Sequence, residues 1–154
     1  MIPLDLNKVI DEVLTLLSYE ISRNNISLQT GLEATLPTIK GDRVQLQQVI
    51  LNLVMNATEA TATKRKETGR IFVTSERQEP DKVVVSIHDS GAGIDPKNMG
   101  QLFTPFFTTK PGGMGMGLSI SRSIIEAHGG RLWAVPNETK GVTFKFSLPS
   151  HAAS

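Results

Sequence analysis

Between Asp89 and Ser121 the chain reads DSGAGIDPKNMGQLFTPFFTTKPGGMGMGLSIS, and this stretch constrains the fold more than any other. Six of the 13 glycines stand at Gly91, Gly93, Gly112, Gly113, Gly115 and Gly117. Glycine at that density beside a helix start implies backbone N–H groups brought close to an anion. Taken alone, the same pattern is equally two flexible loops flanking an unrelated turn. The flanking sequence has to decide.

With 154 residues, 39% hydrophobic and 20% charged, the chain fits one globular domain with a full-sized core. A net charge of +1 without a Lys/Arg tract gives no reason to expect nucleic-acid binding. Zero cysteines exclude a disulfide scaffold, a thiol nucleophile and a thiolate metal site. No apolar run reaches the roughly 18 residues of a membrane span, and the N-terminus has no signal-peptide pattern. The expectation is a cytoplasmic domain with no membrane contact of its own, although a longer parent could be membrane-anchored.

Pro3-Leu4-Asp5 reads as a helix entry with Asp5 as N-cap, followed by Leu6, Val9, Ile10, Val13, Leu14, Leu16 and Leu17 at helical spacing to about Asn24. Ile26 to Thr30 alternates like a strand, and Leu36 to Lys40 offers a short second one. Asp42 and Gln45 form a D-x-x-Q capping box for a long helix, whose core stripe is Leu46, Val49, Ile50, Leu53, Ala57 and Ala60. Asn52, Asn56 and Glu59 fall on an adjacent stripe. Residues 70–77 and 82–89 read as a hairpin turning near Glu79-Pro80-Asp81. In its second strand Val83, Val85, Ile87 and Asp89 share one face, so Asp89 ends an apolar row and points inward. A carboxylate there is costly unless hydrogen-bonded or paired.

From Gly91 to Gly113 there is little periodicity, as in a lid or binding loop. Gly115 to His128 reads as a helix stopped by Gly129-Gly130. Residues 131–135 and 142–148 complete the sheet, with Val142, Phe144, Phe146 and Leu148 in strict alternation; Pro149 onward reads as tail. The pattern predicts one domain with largely antiparallel strands on one helical layer.

Two common phosphate-binding motifs fail. Gly112 to Gly117 has P-loop spacing, but Leu118 stands where lysine is required. Gly91-x-Gly93 is followed by Pro96 where a dinucleotide fingerprint needs its third glycine, and Gly113-x-Gly115-x-Gly117 has the wrong spacing. Taken in order, QVILNLVMNATEA, DSGAGID, LFTPFFTTK, GGMGMGLSIS and GVTFKFSLP resemble the N, G1, F and G2 boxes and terminal strand of the ATP-binding domain of sensor histidine kinases. That domain belongs to the superfamily shared with type II topoisomerases, the 90-kDa heat-shock chaperone and MutL. The NATEA ending and FTPFFTTK lid look closest to kinases of the nitrogen-regulation and oxygen-sensing type.

The resemblance implies a Bergerat-type fold: an α+β two-layer sandwich whose mixed, mostly antiparallel sheet is covered on one face by about three helices. It spans residues 1–149, with an ATP lid at about 95–114 and a tail at 150–154. Asp89 matches the aspartate that accepts from the adenine amino group. Asn56 matches the asparagine that coordinates Mg²⁺, with Asn52 a second candidate ligand and Glu59 either orienting metal-bound water or lying on the surface. Gly91 and Gly93 would pass close to base and sugar, with Ile94 packed near the adenine. Gly113, Gly115 and Gly117, leading into Leu118, would offer N–H groups to the phosphates. Lys110 would meet the γ-phosphate from the lid, and Thr143 would sit near the adenine. Phe103, Phe106 and Phe107 would anchor the lid on the domain or a partner helix; Arg122 could reach phosphate or pair on its helix.

His88, His128 and His151 all read as structural, because none lies on a helix followed by an acid, as a phosphoacceptor does. The resemblance therefore implies a catalytic domain without its acceptor. It would bind Mg·ATP and donate the γ-phosphate to a histidine on a separate helical dimerisation domain, from which phosphate passes to a response regulator receiver domain. The rivals are a stand-alone serine kinase of the anti-sigma-factor type and an ATP-sensing module without transfer. The superfamily's ATPases carry a catalytic glutamate where this chain has Asn52.

Overall fold

A computed structural model describes residues 1–62, 68–105 and 117–151. Strand β1 (Ile2–Leu4) leads into helix α1 (Leu6–Arg23), strands β2 (Ile26–Leu32) and β3 (Ile39–Gly41), and helix α2 (Arg43–Thr61). The hairpin β4 (Gly69–Gln78) and β5 (Lys82–Asp89) follows, then a 3₁₀ turn at Pro96–Gln101, helix α3 (Gly117–Ala127), β6 (Arg131–Pro136) and β7 (Val142–Pro149). The main sheet has five strands in the order β2-β4-β5-β7-β6, with β2 and β4 parallel and the other pairs antiparallel. The parallel pair needs a long crossover, and β3 with α2 supplies it.

The expected α+β sandwich is present, and three helices pack against one another or the inner sheet face. That face presents Ile71, Val73, Val85, Ile87, Phe144 and Phe146, all buried. Opposite them stand Leu6, Val9 and Ile10 of α1 and Leu46, Ile50 and Leu53 of α2, each fully buried. Burying one such side chain contributes roughly 1.5–3 kcal/mol.

Local signals act as read at both long helices. Asp5 Oδ1 accepts from the Asn7 N–H (3.1 Å) and Asp42 Oδ1 from the Gln45 N–H (3.0 Å). The second half of the capping box is replaced. The Asp42 N–H donates to His128 Nε2 (3.0 Å), while His128 Nδ1 lies 2.8 Å from the Ile124 carbonyl. A carbonyl can only accept, so Nδ1 carries the proton and Nε2 accepts. His128 thus ties the end of α3 to the start of α2.

Three boundaries differ from the sequence reading. Pro3 and Leu4, read as the approach to the helix, form part of β1, which pairs with β3, while the helix begins after its N-cap Asp5 as read. The short strand expected at Leu36–Lys40 runs Ile39–Gly41 and joins β1 instead of the main sheet. Ser150 and His151, read as tail, donate backbone N–H groups to the Asp81 (2.8 Å) and Thr38 (2.7 Å) carbonyls.

Candidate functional site

Asp89 closes β5 with no exposed surface. Strand alternation carries its side chain inward, and hydrogen bonds meet the burial cost. Oδ1 accepts from the Gly91 N–H (2.8 Å) and the Val142 N–H (3.4 Å). One oxygen therefore caps the following turn, a structural duty that does not compete with ligand binding by the same side chain.

Glycine is required around this carboxylate for reasons of space. A Cβ on Gly91 would lie 2.6 Å from the Ala60 carbonyl oxygen, so its absence lets the β5 turn press against the end of α2. Gly141, at φ +91°, approaches Asp89 so closely that a Cβ would sit 2.8 Å from Oδ1. Gly93 also has a positive φ, +80°, and backs onto the Gly141 main chain. Asn137, which sequence reasoning missed, holds this turn: its Nδ2 donates to the Asp89 carbonyl (2.8 Å) and the Lys140 carbonyl (3.0 Å), and its N–H to the Gly141 carbonyl (3.1 Å).

α2 forms one wall. Asn56 lies one turn before the Ala60 contact and Asn52 one turn earlier still, both half-buried. Asn52 Nδ2 donates to Ser121 Oγ (3.2 Å) and the Gly117 carbonyl (3.4 Å), joining α2 to the start of α3. The wall thus runs from the Asp89 turn at Ala60 to the Gly117 helix start at Asn52, about 12 Å at 1.5 Å per residue. Ser121, fully buried, is a second missed residue. Glu59 is exposed, while Ile94 and Leu118 pack partly buried against the core. Phe103 meets the Phe144 ring edge-on (6.4 Å between centroids), with the Arg122 guanidinium 5.6 Å from its own ring. Arg122 also pairs with Glu126 (3.7 Å). Lys110, Gly113 and Gly115, with Phe106 and Phe107, lie outside the described residues.

Thr143 requires a correction. His88 pairs with Thr143 and Ile87 with Phe144, so Thr143 projects from the sheet face opposite to Asp89. Its hydroxyl donates to Asn137 Oδ1 (2.6 Å) and lies 3.1 Å from His88 Nδ1. The residue beside the carboxylate is Val142, buried in the core cluster and donating its N–H to Asp89.

Among the described residues no group of three His, Asp or Glu side chains could hold a metal. The donors along α2 are instead amide oxygens, which suit Mg²⁺ when a polyphosphate supplies the anionic ligands. Asn52 spends its Nδ2 on α3, which leaves Oδ1 as its acceptor atom.

Residues 41–152 match the family model described as histidine kinase-, DNA gyrase B-, and HSP90-like ATPase. The chain belongs to that family. It is 43% identical over 145 residues to the sensor protein FixL of Bradyrhizobium diazoefficiens, covering 94% of this chain and 28% of FixL. It therefore spans less than a third of that relative. The catalytic domain of the histidine kinase ThkA superimposes with a TM-score of 0.85 at 40% identity, covering 96% of each chain. ThkA solved with the response regulator TrrA matches at TM-score 0.81 and 39% identity, over 97% of this chain and 41% of that one. Full-length ShkA in complex with AMPPNP gives 0.85 at 27% identity, over 99% and 32%. This ATPase-family chain is a catalytic domain of the histidine kinase type, which agrees with the resemblance drawn from its five boxes. No helix among the described residues is long and apolar enough to cross a membrane.

Proposed function

We propose that the domain binds Mg·ATP between α2, the Asp89 turn and the start of α3, and presents the γ-phosphate to a histidine on a separate helical domain. The observation that carries this reading is the buried Asp89 carboxylate, held at one end of a wall whose other end is the Gly117 helix start. A ligand with a hydrogen-bonding base at one end and an anionic tail at the other fits that polarity. Asp89 would accept from the adenine amino group, with Gly91, Gly93 and Ile94 beside the base. Asn56, aided by the Asn52 oxygen, would hold Mg²⁺ against the phosphates, and Glu59 would orient metal-bound water. Gly113, Gly115 and Gly117 would offer N–H groups, and Lys110 a cation, to the triphosphate.

The domain's share of catalysis is positioning and charge neutralisation, because phosphoryl transfer asks little covalent chemistry of a protein. Phosphate would then pass from the histidine to an aspartate of a receiver domain. The AMPPNP complex of ShkA supports the nucleotide, and the ThkA–TrrA complex supports the class of downstream partner.

The test mixes this chain with Mg·[γ-³²P]ATP and the isolated acceptor-helix domain of a FixL-type kinase. Acid-labile, base-stable label on the acceptor histidine is the expected result. Acid-stable label on serine, or ATP binding without transfer to any acceptor tested, would contradict it.

A further inference from the structure

The sheet face away from the helices carries a cleft of about 450 Å³ where β4 and β5 meet the 137–141 turn. Gln29, Arg70, Phe72, His88, Ser90 and Lys140 line it. None of these belongs to the nucleotide wall. Phe72 is 41% exposed, and its ring is braced over Gly31, where a Cβ would stand 3.2 Å from Cζ. The cleft floor is pinned by reciprocal bonds: the Arg70 N–H donates to Ser90 Oγ (2.9 Å) and the Ser90 N–H to the Arg70 carbonyl (3.0 Å). Among the described residues neither Arg70 nor Lys140 makes an ion pair. Two uncompensated cations beside a fixed aromatic wall form a site with a chemical preference.

We propose that this cleft is a second ligand site, for a small anion bearing a flat ring, with the ring on Phe72 and the anionic group between Arg70 and Lys140. Its position also connects it to the nucleotide wall. The Thr143 hydroxyl has one proton and gives it to Asn137 Oδ1, so His88 Nδ1 is the donor to Thr143 Oγ. Asn137 in turn holds the Asp89 and Lys140 carbonyls. Asn137 is therefore the junction: the His88–Thr143 pair, His88 Nε2 (3.4 Å from Asn137 Nδ2) and the Lys140 carbonyl all reach the backbone of the buried carboxylate through it, so a ligand that engages His88 or Lys140 pulls on the turn that positions Asp89. The site itself does not depend on the ATP reading.

Phenyl phosphate is the probe, titrated into the ¹⁵N-labelled chain, with inorganic phosphate and phenol titrated separately. Saturable amide shifts are expected at Gln29, Arg70, Phe72, His88 and Lys140. Each half-probe should bind at least about tenfold more weakly, as should phenyl phosphate to Arg70→Gln/Lys140→Gln and to Phe72→Ser. The Gly91 and Val142 amides, which donate to Asp89, should shift in the native chain but not in Asn137→Ala, where the shifts at Arg70 and Phe72 persist. Shifts confined to other surfaces, or affinity unchanged in both cleft variants, would overturn the site. Gly91 and Val142 shifts that survive in Asn137→Ala would overturn the connection.

Discussion

Gly141, in the turn that leads into β7, and Asp89, the last residue of the neighbouring β5, lie more than fifty residues apart in sequence, and their atoms leave no room for a side chain between them. A Cβ on Gly141 would lie 2.8 Å from both Asp89 Oδ1 and its carbonyl carbon, at a backbone φ of +91°. Substituting alanine imposes a strained conformation and drives the methyl into the Asp89 main-chain carbonyl oxygen and against the carboxylate behind it. Gly141→Ala should destabilise the domain by about 1–3 kcal/mol. ATP affinity should fall at least about tenfold as Asp89 is displaced. Urea unfolding and calorimetry on the same variant check both, and a stable variant with native affinity would refute the close fit.

His128 separates stability from binding. Replacing it by phenylalanine leaves the Asp42 N–H without its acceptor and should cost about 1–3 kcal/mol. The residue is remote from the nucleotide wall, so ATP affinity should stay within about threefold of native. Thermal unfolding in parallel with ATP titration tests this, and a parallel loss of affinity would count against it.

Thr143 and Val142 test which sheet face meets the nucleotide. Thr143→Val should change ATP affinity less than about threefold, since its hydroxyl faces away from Asp89. Val142→Lys, which forces a cation into the buried row beside Asp89, should abolish ATP binding or unfold the domain. Competition with a fluorescent ATP analogue reads the first; a Thr143→Val loss comparable to that of an Asp89 substitution would restore the original assignment.

That assignment shows where the sequence was legible and where it was not. Alternation in 82–89 places Asp89 inward, and the same alternation in Val142, Phe144, Phe146 and Leu148 puts Thr143 outward, so the strand period and not the motif tells which side chain lies beside the carboxylate. Capping signals at Asp5 and Asp42 are local and were readable. The pairing of β1 with β3 and the parallel placing of β2 beside β4 depend on contacts remote in sequence, which propensity does not encode. Asn137, Gly141 and Ser121 lie outside the motif boxes or inside one with no distinguishing pattern, and only their contacts reveal them.

Metal dependence isolates the role of Asn56. Adding EDTA should weaken ATP binding to the native chain at least about tenfold, because on the proposed reading the Asn56 amide oxygen would hold Mg²⁺ alongside the triphosphate. Asn56→Ala should already be weakened in Mg²⁺ and should lose little more on chelation. Equal EDTA sensitivity in both proteins, measured by calorimetry, would remove Asn56 from the metal site.

The central claim is that the Asp89 carboxylate recognises the adenine end of ATP. Titrating ATP into native and Asp89→Asn chains, with circular dichroism confirming that both are folded, tests it most directly. Native binding with at least about thirtyfold loss in the variant is predicted, the effect of removing a charged acceptor from a buried hydrogen bond. A folded Asp89→Asn chain that binds ATP as well as the native one would contradict the account.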